Sequence, residues 1–111
     1  MRRGEVWWAN LPAPVGRRPV VLLSRNSSYR ARSTATVVAV TQTIRDTPVE
    51  VILDESDGLP MRCGANLDDL LAVPLSLLEA RVAQLSGEKM TAIERALSFA
   101  LDLPRESQLR P

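Results

Sequence analysis

The sequence predicts a mainly β domain of the α+β class: a small, strongly bent antiparallel sheet or barrel with one amphipathic helix packed on it near the C-terminus. Three observations predict this. Apolar runs of strand length recur up to Ser86, only short turn-forming stretches separate them, and after Ser86 the apolar period becomes helical. Connections too short for a crossover helix mean an antiparallel meander rather than βαβ units. The 111 residues are one domain's worth, expected as a single domain over 1–104 with a frayed tail, "RESQLRP", over 105–111.

Each element follows in order. "GEVWWANL" (4–11) is a short strand ended by "PAPVG", whose prolines and glycine force a turn. "PVVLLS" (19–24) is a continuous apolar run rich in β-branched residues, as in a central strand buried on both faces. Pro19 opens it, where no ladder donor is lost, and biases Arg18 toward an extended backbone. "RNSSYRARST" (25–34) is a basic loop or a single helical turn, and "TATVVAVT" (34–41) is a second strong strand. After the turn "QTIRDT" (42–47), "PVEVILD" (48–54) alternates as a half-buried strand does. "ESDGLPMRCG" is a loop, "ANLDDLLAVP" a short strand bending into a helical turn, and "EARVAQLS" (79–86) a final strand. Met90, Ile93, Leu97, Ala100 and Leu101 then form an apolar stripe opposite Glu88, Lys89, Glu94, Arg95 and Asp102. Ser86 is the N-cap and Pro104 stops the helix.

Composition removes several kinds of chemistry. There is no histidine, and the single Cys63 has no internal disulfide partner, so zinc spacings and histidine acid–base pairs are excluded and Cys63 reads as a small packing residue. No metal and no cofactor are expected. No apolar run approaches a membrane span, and Met1-Arg2-Arg3 leads into a strand rather than a secretory core, which makes the cytoplasm the expected location, with no membrane partner. Charge is unevenly distributed: residues 1–50 carry a net +5 and residues 51–111 a net −4, and thirteen of the fourteen basic side chains are arginine. A planar guanidinium suits phosphates and base edges, although on composition alone a mixed solvated surface and a preference for arginine codons rank ahead of nucleic-acid binding.

Two strand ends concentrate polar groups. Arg17 and Arg18 precede the first buried run, and Thr41, Gln42 and Thr43 end the second. If the two strands are antiparallel neighbours joined by the 25–34 loop, Arg18 and Thr41 meet at one edge of the sheet. A fixed guanidinium clamps a phosphate and offsets charge built up in phosphoryl transfer, and a threonine hydroxyl beside it can donate to a phosphate oxygen. RNA brings its own nucleophile, the 2′-hydroxyl, so its cleavage demands little else.

"RRGEVWWANL", "GRRPVVLLS", "VVAVTQT" and "VPLSLLEARVAQLSGEKMTAIERALSFALDL" resemble the MazF/PemK family of toxin endoribonucleases, in order and over nearly the whole chain. The resemblance implies an SH3-like barrel, a homodimer, and a bacterial toxin that cleaves single-stranded RNA at short sequences until a co-expressed antitoxin silences it. Carried onto this sequence, it implies that Arg18 stabilises the phosphate charge and protonates the leaving oxygen, that Thr41 assists at the same phosphate, and that Ser24 supports them. Asp68 matches the family's aspartate near "VxxDQIRTV", whereas Asp69 stands for glutamine and Leu71 for arginine, so cleavage specificity does not transfer. The loop "LPAPVGRRP" lacks the longer acidic insertion of many relatives, which leaves the general base open among Glu5, Asp46, Asp68 and Asp69.

Further RNA contacts fall on Arg17, Ser24, Arg25, Arg30, Arg32, Gln42, Thr43, Arg45 and Asp68, with Tyr29 available for stacking. A solvated loop face competes for the arginines, and packing beneath the loop competes for Tyr29. Trp7 and Trp8 are adjacent, so in a strand they face opposite sides, with core plus dimer interface favoured over base stacking. The expected partners are single-stranded RNA, a second copy of the chain and an acidic, partly disordered antitoxin segment. Two rivals share the barrel: a non-catalytic toxin of the CcdB type that binds DNA gyrase, and a binding module whose site has decayed.

Overall fold

The computed structural model describes residues 1–104; the expected tail, 105–111, lies outside the described residues. Six strands form a single antiparallel sheet. They are β1 (Glu5–Asn10), β2 (Arg17–Leu22), β3 (Thr34–Thr41), β4 (Glu50–Leu53), β5 (Cys63–Pro74) and β6 (Leu78–Gln84), and their spatial order is β4-β5-β3-β2-β1-β6. A four-residue helix, α1 (Ser28–Ala31), sits in the β2–β3 connection, and α2 (Gly87–Ala100) closes the chain. Among the described residues no helix is long and apolar enough to cross a membrane.

The predicted strands form, with three corrections. β2 begins at Arg17 and stops at Leu22, because the ladder with β1 extends to Arg17↔Asn10 and draws both arginines into the strand. The meander holds only through β3: β4 pairs with β5, and β5 lies beside β3. "ANLDDLLAVP" is neither short nor helical, since it belongs to a twelve-residue strand whose two halves have different surroundings. Cys63 to Ala65 lie between β3 and β4, and Leu70 to Pro74 pair with β3 alone. The register slips by several residues between Ala65 and Leu70, and the Asp68 N–H turns onto Asn66 Oδ1 at 2.9 Å in that bulge. A 3-10 turn, Leu75–Leu77, then carries β5 directly into β6 and curls the sheet into an open half-barrel.

β2 is buried on both faces, as its continuous apolar run requires. Val21 and Leu23 join Val6, Val38, Leu53, Leu67 and the α2 residues Ile93 and Ala96 in one core. Val20 and Leu22 join Ala9, Val37, Val73 and Leu78 in the other, against which Tyr29 packs from α1. The Ser86 hydroxyl caps α2 by accepting from Lys89 N at 3.1 Å. The helix ends before its expected stop: Asp102 adopts φ 53, with Leu103 N donating to Ser98 O at 2.8 Å and Asp102 N to Phe99 O at 3.2 Å. This left-handed reversal breaks the helix two residues ahead of Pro104 and leaves Leu101 52% exposed rather than on the apolar stripe.

Candidate active-site cleft

β2 and β3 pair as Val20↔Ala39, Val21↔Val38 and Leu22↔Val37, and the ladder ends there, two residues short of Arg18 and Thr41 on the respective strands. Both residues line a cleft of about 480 Å³ at this end of the sheet. Its floor is Pro19 and Val40; Trp8 and Arg17 line it from the β1–β2 side, and Leu59, Pro60, Met61 and Cys63 from the β5 side. Strand order explains the two walls, because β1 and β5 flank the central β2–β3 pair.

Arg18 is fixed by its own turn. Its Nε and Nη2 both donate to the Val15 carbonyl, at 3.1 and 2.8 Å, which uses two of five N–H bonds and holds the guanidinium without neutralising it. Among the described residues it has no carboxylate partner. The Thr41 hydroxyl oxygen accepts from Thr43 N at 3.2 Å, so its own proton remains available to donate. Gln42 lines the cleft beside it. Arg17 lies over Trp8, its guanidinium carbon 4.3 Å from the ring centroid, while Nε sits 3.5 Å from Glu79 Oε2 on β6. Such an exposed stack and ion pair are each worth at most about 1 kcal/mol, yet together they give Arg17 a direction. Among the described residues two arginines and no carboxylate line the cleft, with Arg17 partly offset by Glu79 and Arg18 without an acidic partner.

The other predicted residues divide into separate groups. Arg45 follows the end of β3, where its N–H donates to both oxygens of Glu50 at 3.0 and 2.9 Å. The Glu50 carboxyl is held below its usual range by the backbone N–H of Arg45 first, against a smaller opposing effect of burial, with help from Thr47 and Asp46. Arg25, Tyr29, Arg30 and Arg32 lie at the opposite end of β2 and β3, in the hairpin connection. There Tyr29 and Arg30 line a second cleft of about 850 Å³ with Arg2 and Asn26. Burial pushes the Tyr29 hydroxyl up to about 12, and that hydroxyl has no hydrogen-bond partner among the described residues. Ser24 lies beyond the end of β2, not in the strand with Arg18, and its hydroxyl accepts from Thr36 N at 2.8 Å, which clasps the hairpin.

The four acids left open for a general base are also resolved in place. Glu5 is buried, at the far end of β1 from the Ala9↔Arg18 pair. Burial pushes its carboxyl up, but Trp7 Nε1 at 3.0 Å, Arg2 N at 2.9 Å and Arg81 Nη1 at 3.2 Å together hold it below its usual range. Asp46, Asp68 and Asp69 do not line the cleft. The tryptophans face opposite sides as predicted, though neither is fully buried: Trp7 packs against the second core, and Trp8 lines the cleft. Cys63 is buried in the cleft wall, its thiol pushed up by burial. Sequence reasoning missed Leu59, Pro60 and Met61, and missed Glu79. The one signal in the sequence for the loop was an apolar Leu-Pro-Met run in "DGLPMR", which binary patterning reads only as a connection, and Glu79 had none.

The curled six-stranded half-barrel with one C-terminal helix is a fold shared with solved toxins. An endoribonuclease from a mycobacterial species, solved in complex with its cognate antitoxin, superposes with TM-score 0.83 at 28% identity over 95% of this chain and 98% of its own. The Mycobacterium tuberculosis toxin MazF-mt6 gives TM-score 0.84 at 26% identity over 91% of this chain and 99% of its own. The chain belongs to the PemK-like, MazF-like toxin family of type II toxin–antitoxin systems, whose family model matches residues 2–101. It is 42% identical over 104 residues to the M. tuberculosis protein named "Probable endoribonuclease MazF5", covering 93% of this chain and 94% of that protein.

Proposed function

We propose that this protein is the toxin of a type II toxin–antitoxin system, a metal-independent endoribonuclease that cleaves single-stranded RNA at short sequences and thereby stops translation and growth. The observation that supports this is that Arg18 and Thr41 line one cleft together with Arg17. The 2′-oxygen attacks the adjacent phosphorus and loses its proton. The bond to the 5′-oxygen breaks, and that oxygen takes up a proton, leaving a 2′,3′-cyclic phosphate and a 5′-hydroxyl. The anchored Arg18 neutralises charge on the non-bridging oxygens, and the Thr41 hydroxyl donates to the same phosphate. A chain without histidine, and a cleft without carboxylates, offer no ordinary ligand set for a catalytic cation.

The test is Arg18→Ala, checked for an unchanged denaturation midpoint and incubated with RNA in EDTA. Cleavage is expected to fall about 10²-fold or more. Cleavage at the wild-type rate overturns the mechanism. Family membership supports a homodimer and an acidic antitoxin segment lying along the arginine-rich half of the chain.

One observation favours a binding toxin as the second reading: Phe99, Leu101 and Leu103 at the end of α2 are 65%, 52% and 49% exposed, an apolar group suited to a protein target. RNA of varied sequence left intact by the purified wild-type protein decides for that reading.

A further inference from the structure

We propose that Lys89, in the first turn of α2, is a positioning residue for RNA cleavage: its ammonium pins a turn of the chain to β4 and so holds the cleft wall of residues 59–61 in place. The inference rests on the reading of the protein as a ribonuclease that works in this cleft. Leu59, Pro60 and Met61 line the cleft but belong to no strand, and they follow a 3-10 turn, Glu55–Asp57, that leads out of β4. Hydrogen bonds inside the turn give it a shape: Asp57 Oδ2 accepts from Asp54 N at 3.0 Å, and Leu59 N donates to Asp54 O at 3.2 Å. They do not by themselves fix where the turn sits on the sheet. Burial of Leu59 anchors the wall after the turn, and Lys89 anchors the turn itself.

The Lys89 Nζ donates to the Ile52 carbonyl at 2.7 Å and lies 3.6 Å from Asp57 Oδ2, so one cation joins β4 to the turn. The bond to Ile52 is charge-assisted, the stronger kind. The Asp57 side chain is only 9% exposed, and among the described residues Lys89 is its one cationic partner. A carboxylate so placed is costly when unpaired, which holds the turn where the ammonium is. The Ile52 end leads toward the reacting groups, since Ile52 pairs with Gly64 on β5 and Gly64 pairs with Thr41 on β3. The wall and Thr41 are thus both held relative to the same point of β4. Lys89 does not line the cleft, so it acts on RNA only through this wall.

The test separates position from stability. Steady-state cleavage of one short RNA and the urea midpoint are measured for wild type, Lys89→Met, Lys89→Arg, Asp57→Asn and the double variant Lys89→Met/Asp57→Asn. Lys89→Met keeps the stem without the charge, and Asp57→Asn keeps an acceptor for Asp54 N. Each should raise KM about fivefold with kcat changed less than about twofold, the size usual for a change along a coupled network. The double variant should be no worse than either single one, and Lys89→Arg, which keeps a cation, should stay within about twofold of wild type. Should Lys89→Met not fold, Asp57→Asn alone carries the test. Trypsin reads the loop without RNA: the cut after the exposed Arg62, mapped by mass, should be about fivefold faster in Lys89→Met and Asp57→Asn. A wild-type KM in these variants overturns the proposal, as do losses that multiply in the double variant or that only follow a fall in the midpoint. Wild type that cleaves no RNA overturns the ribonuclease reading and the role in cleavage with it, a result distinct from the others because the tryptic cut still reports on the loop.

Discussion

At the scale of single residues, the cleft depends on side chains whose hydrogen bonds are already partly used. Thr41 accepts one bond from Thr43 N, which leaves its hydroxyl proton free to donate, and Arg18 spends two donors on Val15 O, which keeps its charge in place. Thr41→Val removes the hydroxyl while keeping the branched shape that suits a strand. We expect RNA cleavage to drop roughly 10²-fold, with stability changed by no more than about 1.5 kcal/mol, the net worth of one hydrogen bond. Thr41→Ser should retain most of the activity. Single-turnover cleavage alongside urea denaturation separates the two effects.

At the scale of elements, the loop that walls the cleft is positioned by a turn and by Leu59, whose side chain is buried in the core. Asp54 caps the 3-10 turn Glu55–Asp57: its Oδ1 accepts from Ser56 N at 2.8 Å, and Asp57 Oδ2 accepts from Asp54 N at 3.0 Å. Gly58 then leaves the turn with φ +92, and a Cβ added there would lie 2.8 Å from Ala83 Cβ on β6. Gly58→Ala meets both backbone strain and a clash, and we expect a loss of roughly 1–3 kcal/mol in urea denaturation. Because Leu59 to Met61 follow directly, the same change should raise KM for RNA. Strand existence was legible here from apolar runs, and β3 was located to the residue. The extent of β5 was not, since a strand shared by two neighbours carries no simple alternation, and "DDLL" disguises its bulge as a turn.

At the scale of the whole molecule, Glu5 ties the first strand to the last. Its carboxylate accepts from Arg2 N and Trp7 Nε1 on its own side of the sheet and pairs with Arg81 of β6 at 3.2 Å. Its folded pKa lies below the unfolded value, so the stability it contributes is complete above the unfolded carboxylate range, about 4.3. That stability is lost as pH falls through the lowered folded value. Wild type should therefore lose stability from about pH 5 downward, and Glu5→Gln should be less stable at pH 7 with a shallower acid limb. Denaturation midpoints measured between pH 7 and 3 check both statements, and an unchanged acid limb would remove Glu5 from this role.

The sequence by itself determined the class of fold, the double-sided burial of β2, the capped C-terminal helix and the juxtaposition of Arg18 with Thr41. These follow from local periodicity and from the antiparallel rule for strands joined by a short hairpin, both of which are properties of neighbouring residues. Tertiary structure alone decided the rest. It carried Arg25, Arg30 and Arg32 to the far end of the hairpin, buried Glu5 away from the cleft, brought Met61 into the cleft with Arg17 and Trp8, and set Glu79 beside Arg17. Those placements depend on which strands sit side by side in the order β4-β5-β3-β2-β1-β6, and that order is set by the packing of two cores rather than by any local signal in the chain.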